Sequence, residues 1–179
     1  AKRRVKLLYF SISNFNKQKW ECPVCGFRGP FIDSISPSSP RKYAKCPKCY
    51  SVERHRLQFL VFQELSKEIN LSQKSMLHFA PEPYLREIFQ NSFARYETAD
   101  LLMRDVDHQV DLQQLPFADQ SYDLVYASHV LEHVPDDAKA IREIKRILKP
   151  DGIAILPVPI VSEKTIEYPE PNPLEDYHV

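Results

Sequence analysis

One stretch limits the folds open to this chain more than any other. Met76-Leu77-His78-Phe79 is a short apolar run, Ala80-Pro81-Glu82-Pro83 is turn material, and Tyr84-Leu85-Arg86-Glu87-Ile88-Phe89 spaces its apolar residues as a helix does. Roughly twenty residues beyond the turn, a second apolar run ends in Asp100. Strand, turn, helix and strand in that order require a parallel pair joined by a crossover, because a short hairpin cannot hold a helix.

The alternation continues. Strands are expected at 76–79, 94–99, 107–112, 122–127 and 153–156, with helices at 84–91 and 137–148. Asp136 should cap the last helix, with Ala138, Ile141, Ile144 and Leu148 as its buried stripe. Two acids begin that helix and Lys145, Arg146 and Lys149 close it, which suits the helix dipole. Pro150-Asp151-Gly152 then stops it. The pattern predicts an α/β fold, a Rossmann-like parallel sheet with flanking helices, and an acid at the end of its second strand suits a nucleoside.

Ahead of this lie Cys22-Pro23-Val24-Cys25-Gly26 and Cys46-Pro47-Lys48-Cys49-Tyr50, and the chain's four cysteines are all used in these two pairs. Each Cys-Pro-x-Cys is a knuckle that aims two sulfurs at one point, with Gly26 free to take positive φ. Two knuckles give the four thiolates of a closed tetrahedral site. Cys22, Cys25, Cys46 and Cys49 are therefore the expected ligands of a structural Zn²⁺ in a small zinc-ribbon module, with iron in a rubredoxin-like site as the alternative. Asp33-Ser34-Ile35-Ser36-Pro37-Ser38-Ser39-Pro40 between them reads as a loop. His55 stands near Cys49 in sequence, but four sulfurs complete the shell, and it reads as a residue of the helix start.

Charge separates the segments. Residues 1–56 hold thirteen Lys and Arg against Glu21, Asp33 and Glu53, a net +10, while the remainder carries −10. Such asymmetry predicts two modules with different partners, the basic one facing an anionic acceptor, nucleic acid included. Three parts are expected: a basic zinc-ribbon module (1–56), a connecting helix (57–74) and a Rossmann-like core (75–179). In that helix Leu57, Leu60, Val61, Leu65 and Ile69 recur at helical spacing, with Phe59 and Phe62 on a second face. Residues 1–20 show no clean period and read as an arm or a first strand. At 43% hydrophobic and 27% charged the composition is that of a globular protein. Apolar runs fall short of the ~20 residues of a membrane span and no signal peptide opens the chain. With paired knuckles in place of a disulfide frame, the expected compartment is reducing, hence cytoplasmic. Lacking an initiator Met, the chain reads as a fragment.

Three segments taken together resemble a known family. Leu115-Pro116-Phe117-Ala118-Asp119-Gln120-Ser121-Tyr122-Asp123-Leu124-Val125, Ser128-His129-Val130-Leu131-Glu132-His133-Val134 and Ile147-Leu148-Lys149-Pro150-Asp151-Gly152 are similar to class I S-adenosylmethionine-dependent methyltransferases of the methyltransferase-11-like branch. The resemblance covers about 75–159. It implies S-adenosyl-L-methionine as cofactor and a cofactor-binding set of Phe79, Ala80, Glu82, Asp100, Leu101, Asp111, Leu112 and Ser128. Within that set Asp100 takes the ribose hydroxyls, and Asp111 and Leu112 lie beside the adenine. Ser128 and His129 lie near the methionine part and the acceptor, with His129 as the catalytic general base or polariser. His133 has either a structural or a catalytic role.

Two departures stand out. Where the family has three glycines after strand one, this chain has Ala80, Glu82 and Tyr84, its leading acid is His78, and Pro81 and Pro83 remove two amide donors. The expectation is that Glu82 accepts from the cofactor's ammonium group. The family sheet also has two further strands, which this chain is expected to lack. The acceptor is not legible, and the alternative function is a non-catalytic zinc-ribbon binding module, for nucleic acid or protein, on a degenerate methyltransferase fold.

Overall fold

The computed structural model of the chain describes residues 2–35 and 40–159, with side chains from residue 4 onward. The chain forms two compact units, Ala1–Ile69 and Asn70–Val179. The expectations for the C-terminal tail, from residue 160, lie outside the described residues.

In the first unit, helix α1 (Lys2–Ser13) replaces the expected arm or strand. Val5, Leu8, Tyr9 and Ile12 have the i, i+3, i+4, i+7 spacing of a helix, although their side chains are exposed. Two antiparallel ribbons follow: β1 (Lys19–Glu21) with β2 (Arg28–Pro30), and β3 (Ile32–Ser34) with β4 (Arg41–Lys45). Helix α2 (Glu53–Glu68) completes the unit. The expected apolar stripe of α2 is not its buried side. Leu57, Leu60 and Val61 are exposed, and His55, Gln58 and Phe62 are buried. Arg56 fixes this rotation. Its Nη1 donates to Ala44 O at 2.9 Å and Ser51 O at 2.8 Å, and its guanidinium stacks 4.9 Å from the Phe31 ring. His55 Nδ1 accepts from Val52 N–H at 3.2 Å, so it serves the helix start as expected.

The second unit is a five-stranded sheet, β5 (Ser75–Phe79), β6 (Arg95–Asp100), β7 (His108–Gln109), β8 (Tyr122–Ala127) and β9 (Leu148–Ile155), with helices α3 (Pro83–Gln90) and α4 (Asp137–Ile147). Every pairing is parallel, in the order β7-β6-β5-β8-β9. Counted by appearance this is 3-2-1-4-5, the Rossmann-like order, with its reversal between β5 and β8. All five residues of β5 are buried, as expected of a central strand covered on both faces. Leu77 and Phe79 join Val125, Ala140, Ile144 and Ile147 in one core. On the other face His78 meets Phe89 of α3, Tyr96 and Tyr126 edge-on.

Several boundaries differ from expectation for local reasons. The third strand is two residues long, not six. The Asp107 carboxylate before it accepts from Thr98 N–H and Oγ1–H at 2.8 and 2.7 Å, and Asp111 after it accepts from Gln113 N–H at 2.8 Å, bending the chain out of the sheet. Strand β9 starts at Leu148, directly after α4, and carries a register irregularity across Pro150-Asp151-Gly152. The buried stripe of α4 is Ala140, Ile144 and Ile147, and Ile141 is exposed. Asp136 caps α4 as expected, accepting from Lys139 N–H at 2.8 Å.

Candidate functional site

The carboxyl ends of β5, β6 and β8 meet where the strand order reverses, the place where an open α/β sheet leaves a crevice. A cavity of about 380 Å³ opens there, lined by Phe79 and Ala80 at the end of β5, Asp100 and Leu101 at the end of β6, Asp111 to Gln113, and His129, Val130, His133, Val134 and Pro135. That volume lies in the range of small-molecule pockets. Seven of the nine residues expected to bind cofactor or to catalyse line it: Phe79, Ala80, Asp100, Leu101, Asp111, Leu112 and His129. Glu82 and Ser128 are not among the lining residues.

The turn after β5 works without glycine. Ala80 takes φ 46°, the left-handed conformation that glycine adopts without steric cost, and its N–H donates to Ala99 O at 3.0 Å. Alanine has the smallest side chain that can stand there, and the strain is on the order of 1 kcal/mol. Pro81 and Pro83 forgo amide donors, and Pro83 begins α3, where its missing N–H costs no helical bond. Glu82 turns inward. Its Oε2 lies 3.4 Å from Nε2 of the fully buried His78, whose Nδ1 is 2.8 Å from the Tyr96 hydroxyl. Burial holds the His78 pKa down, opposed by Glu82.

Asp100 does two jobs with its two oxygens. Oδ1 accepts from the N–H groups of Leu102 and Met103, both at 2.7 Å, which shapes the loop beyond β6. Oδ2 carries no hydrogen bond among the described residues and remains available to the cavity. Asp111 is tied to Gln113, through the backbone bond already given and Nε2 contacts of 3.2 Å to each carboxylate oxygen. Gln113 in turn accepts from Asp136 N–H at 3.1 Å through Oε1. Sequence reasoning missed Gln113 because only the folded chain brings it to Asp136. The remaining wall, His129 and His133 apart, is apolar: Leu102, Val110, Val130, Val134 and Pro135.

His129 also sits at positive φ, 56°, and its N–H donates to Pro157 O at 2.9 Å. Its Nδ1 lies 3.0 Å from Oε1 of Glu132. The short 3₁₀ turn Leu131–His133 brings Glu132 and His133 to this side, and His133 lines the cavity.

The loop from Leu115 to Asp119 is held by α4. Arg146 donates through Nη2 to Leu115 O at 2.9 Å and through Nη1 to Phe117 O at 2.7 Å and Asp119 Oδ1 at 2.8 Å. Glu143 Oε2 accepts from Leu115 N–H at 2.8 Å, and the Glu143 pKa is pulled down to about 2 chiefly by Arg146. The i, i+3 spacing of Glu143 and Arg146 was the available signal.

In the first unit the four cysteine sulfurs lie within 4.8 Å of one another. Cys22 and Cys49 are 3.6 Å apart, and Cys25 and Cys46 are 3.7 Å apart. A tetrahedral ion with Zn–S bonds of ~2.3 Å needs sulfurs about 3.8 Å apart, so the donor set fits such an ion. The knuckles have matching backbones. Gly26 N–H donates to Cys22 O and Tyr50 N–H to Cys46 O, both at 2.9 Å, and Gly26 and Tyr50 share φ 65°. Hydrogen bonds from Cys46, and then Ser51, outweigh burial at Cys49 and bring its pKa to about 4.

Residues 89–156 match the family model described as a methyltransferase domain. Among curated proteins, the chain is 48% identical over 44 residues to a demethylmenaquinone methyltransferase of Lactobacillus johnsonii, covering 25% of this chain and 18% of that protein. It is 36% identical over 56 residues to a dimethylglycine N-methyltransferase of Parasynechococcus marenigrum, covering 31% and 20%. It is 38% identical over 60 residues to an uncharacterized 37.1 kDa protein in a transposon of Streptomyces fradiae, covering 34% and 17%. The matched segments thus span at most a fifth of these relatives. Among solved structures, the YcgJ protein of a Bacillus species superposes with a TM-score of 0.46 at 18% identity, over 55% of this chain and 50% of that one.

Proposed function

We propose that the protein is an S-adenosylmethionine-dependent methyltransferase whose acceptor binds at the His129 side of the cavity. The observation that carries the reading is Asp100, at the carboxyl end of the second strand of a Rossmann-like sheet, with one carboxylate oxygen spent on its loop and the other left to the cavity. A carboxylate so placed accepts hydrogen bonds from a ribose diol. The methyltransferase-domain match over residues 89–156 supports the same reading.

In this reading Asp100 holds the ribose, and Leu101 with Asp111 and Leu112 encloses the adenine. Phe79 and the left-handed Ala80 let the backbone of the turn approach the ligand. Ser128, buried at the end of β8, supports that wall. The bound sulfonium supplies an already activated methyl group. The chain's own task is to align the acceptor, exclude water with the apolar wall, and take up a proton at His129 where the acceptor carries one. Glu82, aimed at His78, supports the turn from beneath.

The four-cysteine cluster is a structural zinc site in this reading, since four thiolates leave no open coordination position. In this reading the parts are a basic zinc-ribbon module (1–56), a connecting helix (57–74) and the methyltransferase core (75–179). The net +10 of the first suits an anionic acceptor. Among the described residues no helix is long and apolar enough to cross a membrane, and a cytoplasmic setting is consistent with free thiols.

Isothermal calorimetry with S-adenosylmethionine and S-adenosylhomocysteine tests the reading. Binding of both at micromolar affinity is expected, and no heat from either with the zinc-loaded protein would overturn it.

A further inference from the structure

The pairing of His129 with Glu132 reaches beyond the assignment of His129 alone. His129 ends up in a backbone conformation that a non-glycine residue seldom takes, φ 56°, and such strain is held only where surrounding contacts impose it. Two contacts do so here. Its N–H is fixed by Pro157 O at 2.9 Å, and its ring Nδ1 by Glu132 Oε1 at 3.0 Å. Both side chains are three-quarters buried or more, His129 at 25% and Glu132 at 23% exposure, so water competes weakly for the contact. The remaining carboxylate oxygen, Oε2, is buried and has no hydrogen-bond partner among the described residues.

The chemistry of this contact has one consistent proton arrangement. An ionised carboxylate only accepts, so Nδ1 must carry the hydrogen and donate it. In neutral imidazole the other ring nitrogen, Nε2, is then the lone-pair acceptor. We propose that Glu132 is a positioning residue. It locks His129 as the Nδ1–H tautomer and turns its basic Nε2 toward the cavity, where an acceptor hydroxyl or amine gives up its proton. The inference rests on the methyltransferase reading for what the base acts on, but the tautomer is a property of the chain alone.

The proton balance is simple. As the acceptor oxygen or nitrogen bonds to the methyl carbon and the carbon–sulfur bond breaks, the acceptor's proton passes to Nε2. The ring becomes a cation with one N–H on each nitrogen, and the Glu132 carboxylate faces the Nδ1–H without itself taking the proton. An acceptor with no proton to lose, such as a tertiary amine or a thioether, would gain nothing from this arrangement. The acceptor class it fits is a hydroxyl, or a primary or secondary amine that has already lost its ammonium proton.

Long-range ¹H–¹⁵N correlation spectra of the zinc-loaded chain above neutral pH test the tautomer. His129→Gln identifies the His129 signals, and Glu132→Leu removes the acceptor. The expected result is the Nδ1–H pattern in the native protein and a switch toward the Nε2–H pattern in Glu132→Leu. An Nε2–H pattern for His129 in the native protein, or no change in the variant, would overturn the proposal. The native spectrum decides the point even if Glu132→Leu does not fold. Calorimetry with S-adenosylhomocysteine on the same samples separates the two readings. Glu132→Leu should bind it within about twofold of native, and loss of binding in a folded variant would reassign Glu132 to the cofactor. Failure of the native protein to bind would count against the methyltransferase reading and leave the tautomer standing.

Discussion

Nε2 of His78 faces Oε2 of Glu82 at 3.4 Å beneath the turn that follows the central strand. The acid standing where a glycine is usual therefore points back under the sheet, toward a histidine standing where an acid is usual. The two exchanged residues face each other. With Tyr96 on Nδ1 and Phe89 and Tyr126 edge-on, they replace the backbone freedom of a glycine turn with a buried polar anchor.

That anchor sets a pH dependence. Burial lowers the His78 pKa in the folded chain, Glu82 opposes it and Arg86 adds to the lowering. The unfolded chain therefore binds this proton at a higher pH than the folded one. The stability that neutral His78 allows is fully present above the unfolded value near 6.5 and falls as pH drops below it, with a slope of at most ~1.4 kcal/mol per pH unit. Thermal melts between pH 7.5 and 5 should show a falling midpoint that flattens in His78→Gln. An equal fall in both proteins would remove His78 as the cause.

The divided role of Asp100 separates two variants. Asp100→Asn keeps an oxygen for the Leu102 and Met103 amides but loses the charge, so the fold should hold while affinity for S-adenosylhomocysteine falls roughly tenfold, as a charge-assisted bond becomes neutral. Asp100→Ala orphans both amides as well, and should lose 30-fold or more together with a lower melting temperature. Calorimetry and melting curves on the pair check this. Equal affinities for all three proteins would refute the ribose assignment.

What could be read from the sequence followed the range of the forces involved. Strands β5, β6 and β8 and helix α4 were legible because their residues repeat at strand or helix periods, and their alternation implies a parallel sheet. Asp100 and His129 could be expected at the cavity because motif position fixes where a strand ends, and both line it. Helix α1 escaped because Leu7 and Phe10, on its other sides, blur the helical spacing of Val5, Leu8, Tyr9 and Ile12, and α2 was misoriented because Arg56, a single side chain bonded to Ala44 O and Ser51 O, outweighs a stripe of exposed apolar residues. The shortened β7 depends on Asp107 meeting Thr98, nine residues away. Gln113 has no sequence signature, since it acts through Asp136, which only the fold brings near, whereas Glu132 stands three residues after His129 and that spacing was the available signal.

The clamp of α4 on the loop from Leu115 to Asp119 should matter more for stability than its partly exposed position implies. Arg146→Ala leaves the Leu115 and Phe117 carbonyls without their donor and Glu143 without its cation. A loss of about 2 kcal/mol follows from those unmade bonds. Glu143 adds a second, acidic window. Its folded pKa, pulled to about 2 chiefly by Arg146, lies below the unfolded value near 4.3, so its contribution is complete above that value and is lost as pH falls toward 2. Denaturant unfolding of native, Arg146→Ala and Glu143→Gln at pH 7 and pH 3.5 should show the variants losing less between the two pH values than the native protein does. Parallel losses would place the acid sensitivity elsewhere, with Asp123 the next candidate. Burial raises its pKa, but bonds from Lys149 and Ser75 hold it well below the carboxylate range.

The cysteine cluster makes the last prediction, and its outcome distinguishes two ions. Four sulfurs within 4.8 Å of one another, two pairs of them 3.6 and 3.7 Å apart, suit either zinc or iron by geometry. Elemental analysis of the purified chain should return one zinc per chain and no iron, with a colourless protein. A stoichiometric iron content with visible charge-transfer bands would assign a rubredoxin-like centre. In the zinc-site reading the ion also supports the first unit, where Cys22, Cys46 and Phe31 form the small buried core. Such a core is too small to hold its fold alone, so removing the ion with a chelator should unfold it. Circular dichroism should then lose the signal of the first unit, while the second unit keeps its own cooperative melt. Cys49→Ser should reproduce this without chelator. A chain that binds no metal and melts identically before and after chelation would overturn the assignment and leave the cluster as four reduced thiols.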